Sequence, residues 1–247
     1  MIVIPMAGLS SRFFKAGYEK PKYMLEAHGK TLFEHSVQSF SRYFDSIPFL
    51  FITRNVFDTK KFVQEKAQKL GIRTFYIVEL NSDTRGQADT VFLGLTELFD
   101  QDVNIQGSIT VFNIDTFRPG FTFPDEAFKG DGYLEVFEGS GDNWSFAKPI
   151  SDNDTQVAET AEKRPISNLC STGLYHFSSV QDFLDAFQNA LNRPKQEWEK
   201  GELYIAPMYN TLIAEGKSIH YHKIDPSEVI FCGVPDEYTD FLKKTLL

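Results

Sequence analysis

The chain has 247 residues, with 34 acidic and 25 basic side chains, for a formal net charge of -9 at pH 7. This acidic balance argues against nucleic acid as a partner, because binding to its phosphates needs a basic surface. The two cysteines are too few for a disulfide framework or a tetrahedral zinc site. Since no apolar run reaches the roughly 18 residues of a membrane span, we expect a cytoplasmic protein with no membrane span.

The first half of the chain alternates strand patterns with helix patterns. Apolar periodicity predicts strands at 2–4, 49–53, 74–78 and 109–112 and helices at 31–44, 58–70 and 87–99. Connections of this length suit parallel crossovers. We therefore predict an α/β fold with a Rossmann-like, doubly wound, mixed but mainly parallel sheet flanked by helices. Ligands bind such sheets beyond the carboxyl ends of the strands, here in the loops after residues 4, 78 and 112.

The second half is more irregular and richer in strands. The pattern predicts strands at 133–137, 144–148, 157–162, 174–177 and 219–223 and helices at 181–191, 204–214 and 238–247. Neither repeats nor a low-complexity linker separate the halves, so one domain with a β-rich subregion is the simplest interpretation. The 24 phenylalanines indicate a Phe-rich core.

A loop of small residues follows the first strand and leads to two cations. The loop comprises Met6, Ala7, Gly8, Leu9, Ser10 and Ser11, and it is followed by Arg12 and by Pro21-Lys22. Small side chains let backbone N–H groups approach phosphates. Arg12 can bind phosphate oxygens bidentately, and Lys22 adds a point charge. The alternative is an ordinary strand-to-helix turn with surface cations, but the joint spacing favours phosphate binding.

This opening resembles the signature of the nucleotidyltransferases that make sugar nucleotides and related activated headgroups, which include sugar-nucleotide pyrophosphorylases and cytidylyltransferases. The usual form is Ala-Ala-Gly-x-Gly-Thr/Ser-Arg, with Pro-Lys further along. Here Ser10 stands where a second Gly is usual, and Tyr23 follows Lys22 where Pro is common. The resemblance implies the nucleotide-diphospho-sugar transferase fold, which is GT-A-like, and it implies that Arg12 and Lys22 are catalytic.

Two further segments resemble the nucleotide and metal sites of that family. Gly86, Gln87, Ala88 and Asp89 resemble a Gly-x-Ala stretch that contacts base and ribose, although Asp89 can also be read as a residue of a helix's first turn. Asp115 ends a strand, at the position where the family's Asp holds Mg²⁺, so the resemblance implies that Asp115 is catalytic too; the alternative is a turn or cap residue. Relatives carry a second Asp before a C-terminal Gly, but Cys232 precedes Gly233 here. Asp225 is the nearest substitute.

The second half resembles the family's acceptor site. Ser145 and Lys148 lie on a predicted strand, Glu162 and Lys163 resemble the Glu-Lys-x-Pro segment, and Thr172 and Gly173 resemble the Thr-Gly-x-Tyr strand. In hexose 1-phosphate enzymes the Glu binds sugar hydroxyls and the Lys binds the substrate phosphate. A solvated charge pair is the alternative for Glu162 and Lys163. The segment 202–207 is expected to pack, with Tyr204 toward the pocket.

The resemblance implies a single nucleotidyltransferase domain at 1–247, with a nucleotide-binding half at 1–130 and an acceptor-binding half at 131–247. Its expected partners are a nucleoside triphosphate, CTP or dTTP in particular, and a sugar phosphate or other small phosphorylated acceptor, with Mg²⁺ as cofactor. Pyrophosphate is released, and the product serves capsule or lipopolysaccharide synthesis. The alternatives are a GT-A-type glycosyltransferase and a non-catalytic nucleotide- or sugar-phosphate-binding regulatory protein. The oligomeric state, monomer or homo-oligomer, stays open.

Overall fold

The computed structural model describes residues 1–244 and divides the chain into two compact units. Unit 1 comprises Met1–Val3, Thr84–Val111 and Phe123–Pro226, and unit 2 comprises Ile4–Asp83, Phe112–Thr122 and the chain from Ser227 onward. Both units take segments from each half of the sequence. The expectation of one domain with halves at 1–130 and 131–247 stays a prediction.

Strands and helices alternate through the first half, as predicted. The strands are β1 Ile2–Pro5, β2 Glu26–Ala27, β3 Lys30–Thr31, β4 Phe49–Arg54, β5 Phe75–Leu80, β6 Ile109–Phe112, β7 Thr116–Phe117, β8 Gly132–Glu138, β9 Ser145–Pro149, β10 Val157–Glu162, β11 Leu169–Phe177, β12 Ile219–Ile224 and β13 Ile230–Phe231. The helices are α1 Ser11–Lys15, α2 Leu32–Gln38, α3 Thr59–Leu70, α4 Gln87–Asp100, α5 Val180–Leu191, α6 Met208–Ala214 and α7 Pro235–Lys243.

The sheet is mixed, with both parallel and antiparallel pairs of strands. Within unit 1 the order is β10-β9-β11-β6-β1, with β8 beside β11 and β12 beside β8; within unit 2 it is β1-β4-β5. The pairs β1–β6 and β4–β5 are parallel, whereas β8, β9, β10 and β11 pair antiparallel among themselves. The predicted fold class, a Rossmann-like α/β sheet flanked by helices with a β-rich second half, is confirmed.

Several predicted elements differ from the structure at their ends, and the strand predicted at 174–177 already begins at Leu169. The helix predicted at 31–44 ends at Gln38. The helix predicted at 204–214 begins only at Met208, and one reason is that Pro207 disfavours helical geometry at the preceding Ala206. The helix predicted at 238–247 begins at Pro235 and ends at Lys243, and residues 245–247 of that prediction lie outside the described residues.

More than half of the phenylalanines are buried, which agrees with the predicted Phe-rich core. In unit 2, Phe51 lies between Phe33 and Phe49, with ring centroids 5.4 and 5.9 Å away. Such pairs contribute beyond the apolar area that they bury. Among the helices of residues 1–244, none combines the length and apolar character that crossing a membrane requires.

A buried carboxylate, that of Glu34, lies in the first turn of α2. Thr31 caps the helix, and its N–H and hydroxyl each donate to Glu34 Oε2 at 2.9 Å. Lys66 and Lys69 donate to the same carboxylate at 2.8 and 3.2 Å. Burial alone raises the pKa of Glu34, but these hydrogen bonds outweigh it and lower the pKa to about 2.

Glu34 is therefore expected to make the protein sensitive to acid. Its ionised form is favoured in the folded state, so its stabilisation is present above about pH 4.5 and lost as the pH falls toward 2. We expect Glu34→Gln to lower the free energy of unfolding by about 3 kcal/mol at pH 7 and by much less at pH 3, measured by urea denaturation. Glu65→Gln is the control, because Glu65 is 65% exposed and, among residues 1–244, its one ion pair is with Lys61. An equal loss for Glu34→Gln at both pH values contradicts the prediction.

Candidate active site

The loop after β1 belongs to unit 2 and has a buried entry and an exposed tip. The Met6 N–H donates to the Ile52 carbonyl at 2.8 Å, and Met6 and Ala7 are buried. Gly8 and Leu9 are exposed at the tip. The tip thus exposes the Gly8 backbone, as the predicted phosphate loop requires, together with the apolar Leu9 side chain.

Ser10 adopts a left-handed backbone conformation, with φ 52° and ψ 33°. This explains why glycine is usual at the corresponding position, since a side chain here costs about 1 kcal/mol. The serine hydroxyl accepts a hydrogen bond from the Lys22 N–H at 3.1 Å, a contact that glycine cannot make. Ser10 therefore fixes the backbone of the predicted catalytic lysine, while Ser11 begins the short helix α1.

Lys22 and Asp115 form an ion pair, although 93 residues separate them in the sequence. The Lys22 Nζ lies 2.5 Å from Asp115 Oδ2, and each side chain is 21% exposed. The Asp115 carbonyl accepts from the Cys232 N–H at 2.8 Å, which fixes the backbone of the aspartate. Two predicted catalytic residues thus meet in unit 2, where both remain accessible to a ligand.

Arg12 lies in the first turn of α1 and is exposed. No carboxylate among residues 1–244 forms an ion pair with it. Its guanidinium is therefore available for a bidentate contact with phosphate oxygens.

The surroundings of Asp115 leave space for a Mg²⁺ ion. A Cβ placed on Gly233 would lie 3.0 Å from Asp115 Oδ2 and 3.6 Å from Glu237 Oε2, so Gly233 keeps space open beside the carboxylate. Mg²⁺ is usually bound through one or two carboxylates together with substrate phosphates and water. Asp115 suits such a site, although residues 1–244 hold no cluster of three or more His, Cys, Asp or Glu side chains able to hold a metal.

The second predicted metal ligand, Asp225, lies in unit 1, whereas Asp115 lies in unit 2. It is exposed and directly follows β12.

Glu237, which the sequence reasoning did not single out, accepts from the Gly233 and Val234 N–H groups through Oε2. Where relatives carry a second Asp before this glycine, the chain therefore has Cys232. The nearby Glu237 binds backbone N–H groups at the start of α7.

The loop at 86–89 begins α4 in unit 1. Asp89 is buried, and both of its oxygens are bound by Arg85: Oδ2 accepts from the backbone N–H at 2.8 Å and Oδ1 from the guanidinium at 2.6 Å. Asp89 therefore shapes the loop through Arg85. Gln87 and Ala88 form the first turn of the helix, where a dipole favours anionic groups.

Gly86 is required by both its backbone angle and its neighbours. Its φ is 135°, and a Cβ would lie 2.5 Å from the Leu203 carbonyl oxygen. We expect Gly86→Ala to lower the free energy of unfolding by about 2 kcal/mol or more, measured by urea denaturation. The control is Gly8→Ala, because a Cβ on Gly8 meets nothing within 4 Å. Similar stability for the two variants contradicts the prediction.

The predicted acceptor residues lie in unit 1, where β9 and β10 bring two of them together. Ser145 is paired with Glu162 in the antiparallel register, and its hydroxyl hydrogen-bonds the Glu162 carboxylate. The same hydroxyl lies 2.9 Å from the Tyr175 hydroxyl. Burial raises the pKa of Glu162, against the opposing effect of the Ser145 hydrogen bond. The group offers oxygen atoms that can bind hydroxyls.

Lys148 does not join Ser145 and Glu162. Side chains alternate along a strand, so Lys148, three residues after Ser145, points to the opposite face, and it is exposed. Thr172 and Gly173 form an irregularity in β11, where Gly173 has φ 90°. The Thr172 hydroxyl is bound to Glu135 Oε1 at 3.0 Å.

Lys163 leaves β10 in a left-handed conformation with φ 52°. Its N–H donates to the Trp144 carbonyl at 2.8 Å, and its Nζ donates to the Tyr204 hydroxyl at 2.6 Å. From the sequence, no binding role was predicted for Tyr175 or Tyr204, although Tyr204 was expected to face the pocket. The Thr-Gly-x-Tyr motif contains the first, but only the long-range fold brings the second to Lys163.

Comparison with solved structures gives the family. A nucleoside-diphosphate-sugar pyrophosphorylase from Vibrio cholerae RC9 is 69% identical, with a TM-score of 0.97 over 99% of this chain and 100% of that chain. An inositol-1-phosphate CTP transferase from T. maritima is 14% identical, with a TM-score of 0.68 over 98% and 94%. A UTP-bound UGPase from Acinetobacter baumannii is 13% identical, with a TM-score of 0.70 over 98% and 91%.

The latter two structures share the fold at low identity. No family model matches the chain, and no curated protein matches it. The resemblance inferred from the sequence motifs is confirmed by the match at 69% identity, which extends over both chains. The chain therefore belongs to the nucleoside-diphosphate-sugar pyrophosphorylases, a family of nucleotidyltransferases.

Proposed function

We propose that this protein transfers a nucleoside monophosphate from a nucleoside triphosphate to a sugar phosphate or other small phosphorylated acceptor. We further propose CTP or dTTP as the donor and a role in making capsule or lipopolysaccharide precursors. The observation that carries the reaction type is the full-length match at 69% identity to a nucleoside-diphosphate-sugar pyrophosphorylase. The names of the T. maritima and A. baumannii proteins specify CTP and UTP, which favours a pyrimidine base.

In this reaction a phosphate oxygen of the acceptor attacks the α-phosphorus of the triphosphate. One P–O bond forms, the bond to the bridging oxygen breaks, and pyrophosphate leaves with that electron pair. Because the nucleophile is already anionic, no general base is required. Catalysis then consists of positioning and of stabilising charge on the phosphoryl oxygens.

The loop at 6–11 would bind phosphate oxygens through its backbone N–H groups. Arg12, which is exposed and has no carboxylate partner among residues 1–244, would bind the β- and γ-phosphates. Lys22 would exchange its contact with Asp115 for a phosphate oxygen and stabilise the charge that develops there. The loop at 86–89 would contact the base and ribose.

Asp115 would hold Mg²⁺, with Asp225 proposed as a second ligand. A bound Mg²⁺ supplies Lewis-acid stabilisation of phosphoryl oxygens. The Asp115 carboxylate, which is 21% exposed beside the space kept open by Gly233, can accept such an ion together with substrate oxygens and water.

For the acceptor, Glu162 and Ser145 would bind hydroxyl groups and Lys163 the phosphate. Burial raises the pKa of Glu162, and hydroxyl groups of the acceptor that donate to the carboxylate would favour its ionised form. Lys148, Thr172 and Gly173 complete the proposed acceptor residues. Lys148 points away from Ser145 in the strand, so we expect the smallest effect from its replacement.

The test is a panel of CTP, dTTP, UTP, ATP and GTP against glucose 1-phosphate, other sugar 1-phosphates and phosphocholine, with pyrophosphate release as the readout. We expect release with a pyrimidine triphosphate that depends on a phosphorylated acceptor. A clear GTP preference contradicts the proposed base. Binding of nucleotide without pyrophosphate release from any pair contradicts the transferase and supports a regulatory protein.

A further inference from the structure

The segment at 202–204 lies against the loop that begins α4, within unit 1. The Leu203 N–H donates to the Arg85 carbonyl at 2.8 Å, and the Leu203 carbonyl accepts from the Ala88 N–H at 2.9 Å. The close approach at Gly86 leaves no room for a side chain between them. These contacts fix the backbone of Leu203 and so determine where the next side chain, Tyr204, lies.

Tyr204 is half-buried beside Lys163. Its hydroxyl oxygen accepts from the Lys163 Nζ at 2.6 Å, and the ammonium lies 4.5 Å from the ring centroid. The Lys163 side chain is 32% exposed, and its Nζ is 3.9 Å from Glu162 Oε1. The ammonium can therefore still donate to a ligand while it holds the tyrosine.

A phenol that accepts from an ammonium keeps its own proton to donate. Among the hydrogen bonds of residues 1–244, none provides an acceptor for the Tyr204 hydroxyl proton. Burial raises the pKa of Tyr204 despite the opposing effect of Lys163. The hydroxyl therefore stays protonated at neutral pH. The arrangement is thus a cation and a neutral O–H donor side by side, which suits a phosphate group with several acceptor oxygens.

We propose that the Tyr204 hydroxyl donates a hydrogen bond directly to the phosphate of the acceptor, beside the Lys163 ammonium. The inference rests on the proposed function for the identity of the phosphate's carrier. It assigns the segment at 202–204 a binding role in addition to packing. Glu162, whose carboxylate is 3.9 Å from the Lys163 Nζ, then faces the hydroxyl-bearing part of the same acceptor.

The test measures binding of inorganic phosphate by calorimetric titration to the wild type, Tyr204→Phe, Lys163→Met and the double variant. Phosphate that binds elsewhere, as at the nucleotide loop, should bind equally to all four proteins. The differences among the four titrations therefore report the site at Lys163 and Tyr204. We expect Tyr204→Phe to weaken binding about tenfold, since a hydrogen bond to a charged group is lost while the ring remains. Tyr221→Phe, at a partly exposed tyrosine in β12, is the matched control and should bind as the wild type does.

The double variant separates direct donation from the positioning of Lys163. If the hydroxyl contacts phosphate, Tyr204→Phe weakens binding at least threefold in the Lys163→Met background as well. If it acts only through Lys163, the second substitution has no further effect, and the proposal is overturned. Unchanged binding in Tyr204→Phe alone overturns it too.

Turnover supplies an independent readout with the acceptor that the nucleotide panel identifies. We expect Tyr204→Phe to raise the KM for that acceptor about tenfold, with less than a twofold change in the KM for the nucleotide. Because phosphate titration needs no turnover, absence of pyrophosphate release in every pair would contradict the proposed function while the titration still decides the role of Tyr204.

Discussion

Replacement of Lys22 by alanine is expected to lower kcat about 100-fold or more. Lys22 is the partly exposed cation beside Asp115, and its loss removes stabilisation of charge that develops on the phosphoryl oxygens. The measurement is pyrophosphate release at saturating nucleotide and acceptor. A correctly folded Lys22→Ala protein with near wild-type turnover would contradict the catalytic assignment.

Two controls accompany this variant. Lys20→Ala removes an exposed lysine two residues away and should keep wild-type turnover, because no ion pair among residues 1–244 involves it. Removal of Lys22 also leaves Asp115 without its cation, so the thermal midpoint is measured in parallel. Each partner is only 21% exposed, so we expect the unpaired Asp115 carboxylate to lower the thermal midpoint measurably.

Local patterns predicted most of the secondary structure. The strand expected at 157–162 and the helix expected at 87–99 occur within one residue of their predicted ends. The late start of the helix expected at 204 has a long-range cause. Leu203 hydrogen-bonds to Arg85 and Ala88, and this extended pairing competes with a helical turn before Pro207. Periodicity contains no information on a partner that lies more than 100 residues away.

The candidate site likewise combines features that motifs in the sequence predict with contacts that depend on the folded chain. Motif spacing found Lys22 and Asp115 separately, but their ion pair depends on how unit 2 folds. The left-handed backbone at Ser10 could be anticipated, because glycine is usual there, whereas the hydrogen bond from the Lys22 N–H to its hydroxyl could not. Tyr204 reaches Lys163 only through the contact of its neighbour Leu203 with the loop at 86–88.

The Lys22–Asp115 pair also bears on how an acidic protein binds a triphosphate. In this structure the two opposite charges neutralise each other, so neither acts on a ligand at full strength. A triphosphate carries negative charge for Lys22, and Mg²⁺ carries positive charge for Asp115. Joint binding of nucleotide and metal would therefore replace one ion pair by two, and binding of either alone would leave one charge without a partner.

Asp115→Asn provides the test of that exchange, and we expect it to lower kcat about 100-fold or more and to raise the Mg²⁺ concentration required for half-maximal rate. The amide keeps the shape of the side chain but loses the charge that a hard cation prefers. Asp240→Asn is the matched control, since it also breaks an Asp–Lys pair, that with Lys243, but at an exposed position in α7. It should leave both values unchanged.

The same variant distinguishes a metal ligand from a residue that merely restrains Lys22. If Asp115 only held the lysine, Asp115→Asn would free the ammonium, tighten nucleotide binding and preserve or increase turnover. If Asp115 holds Mg²⁺, turnover falls even though Lys22 is released, and added Mg²⁺ restores part of the rate. The two roles are separated by measuring nucleotide affinity without metal and turnover across a Mg²⁺ titration. Only a role in restraining Lys22 predicts that nucleotide affinity and turnover improve together.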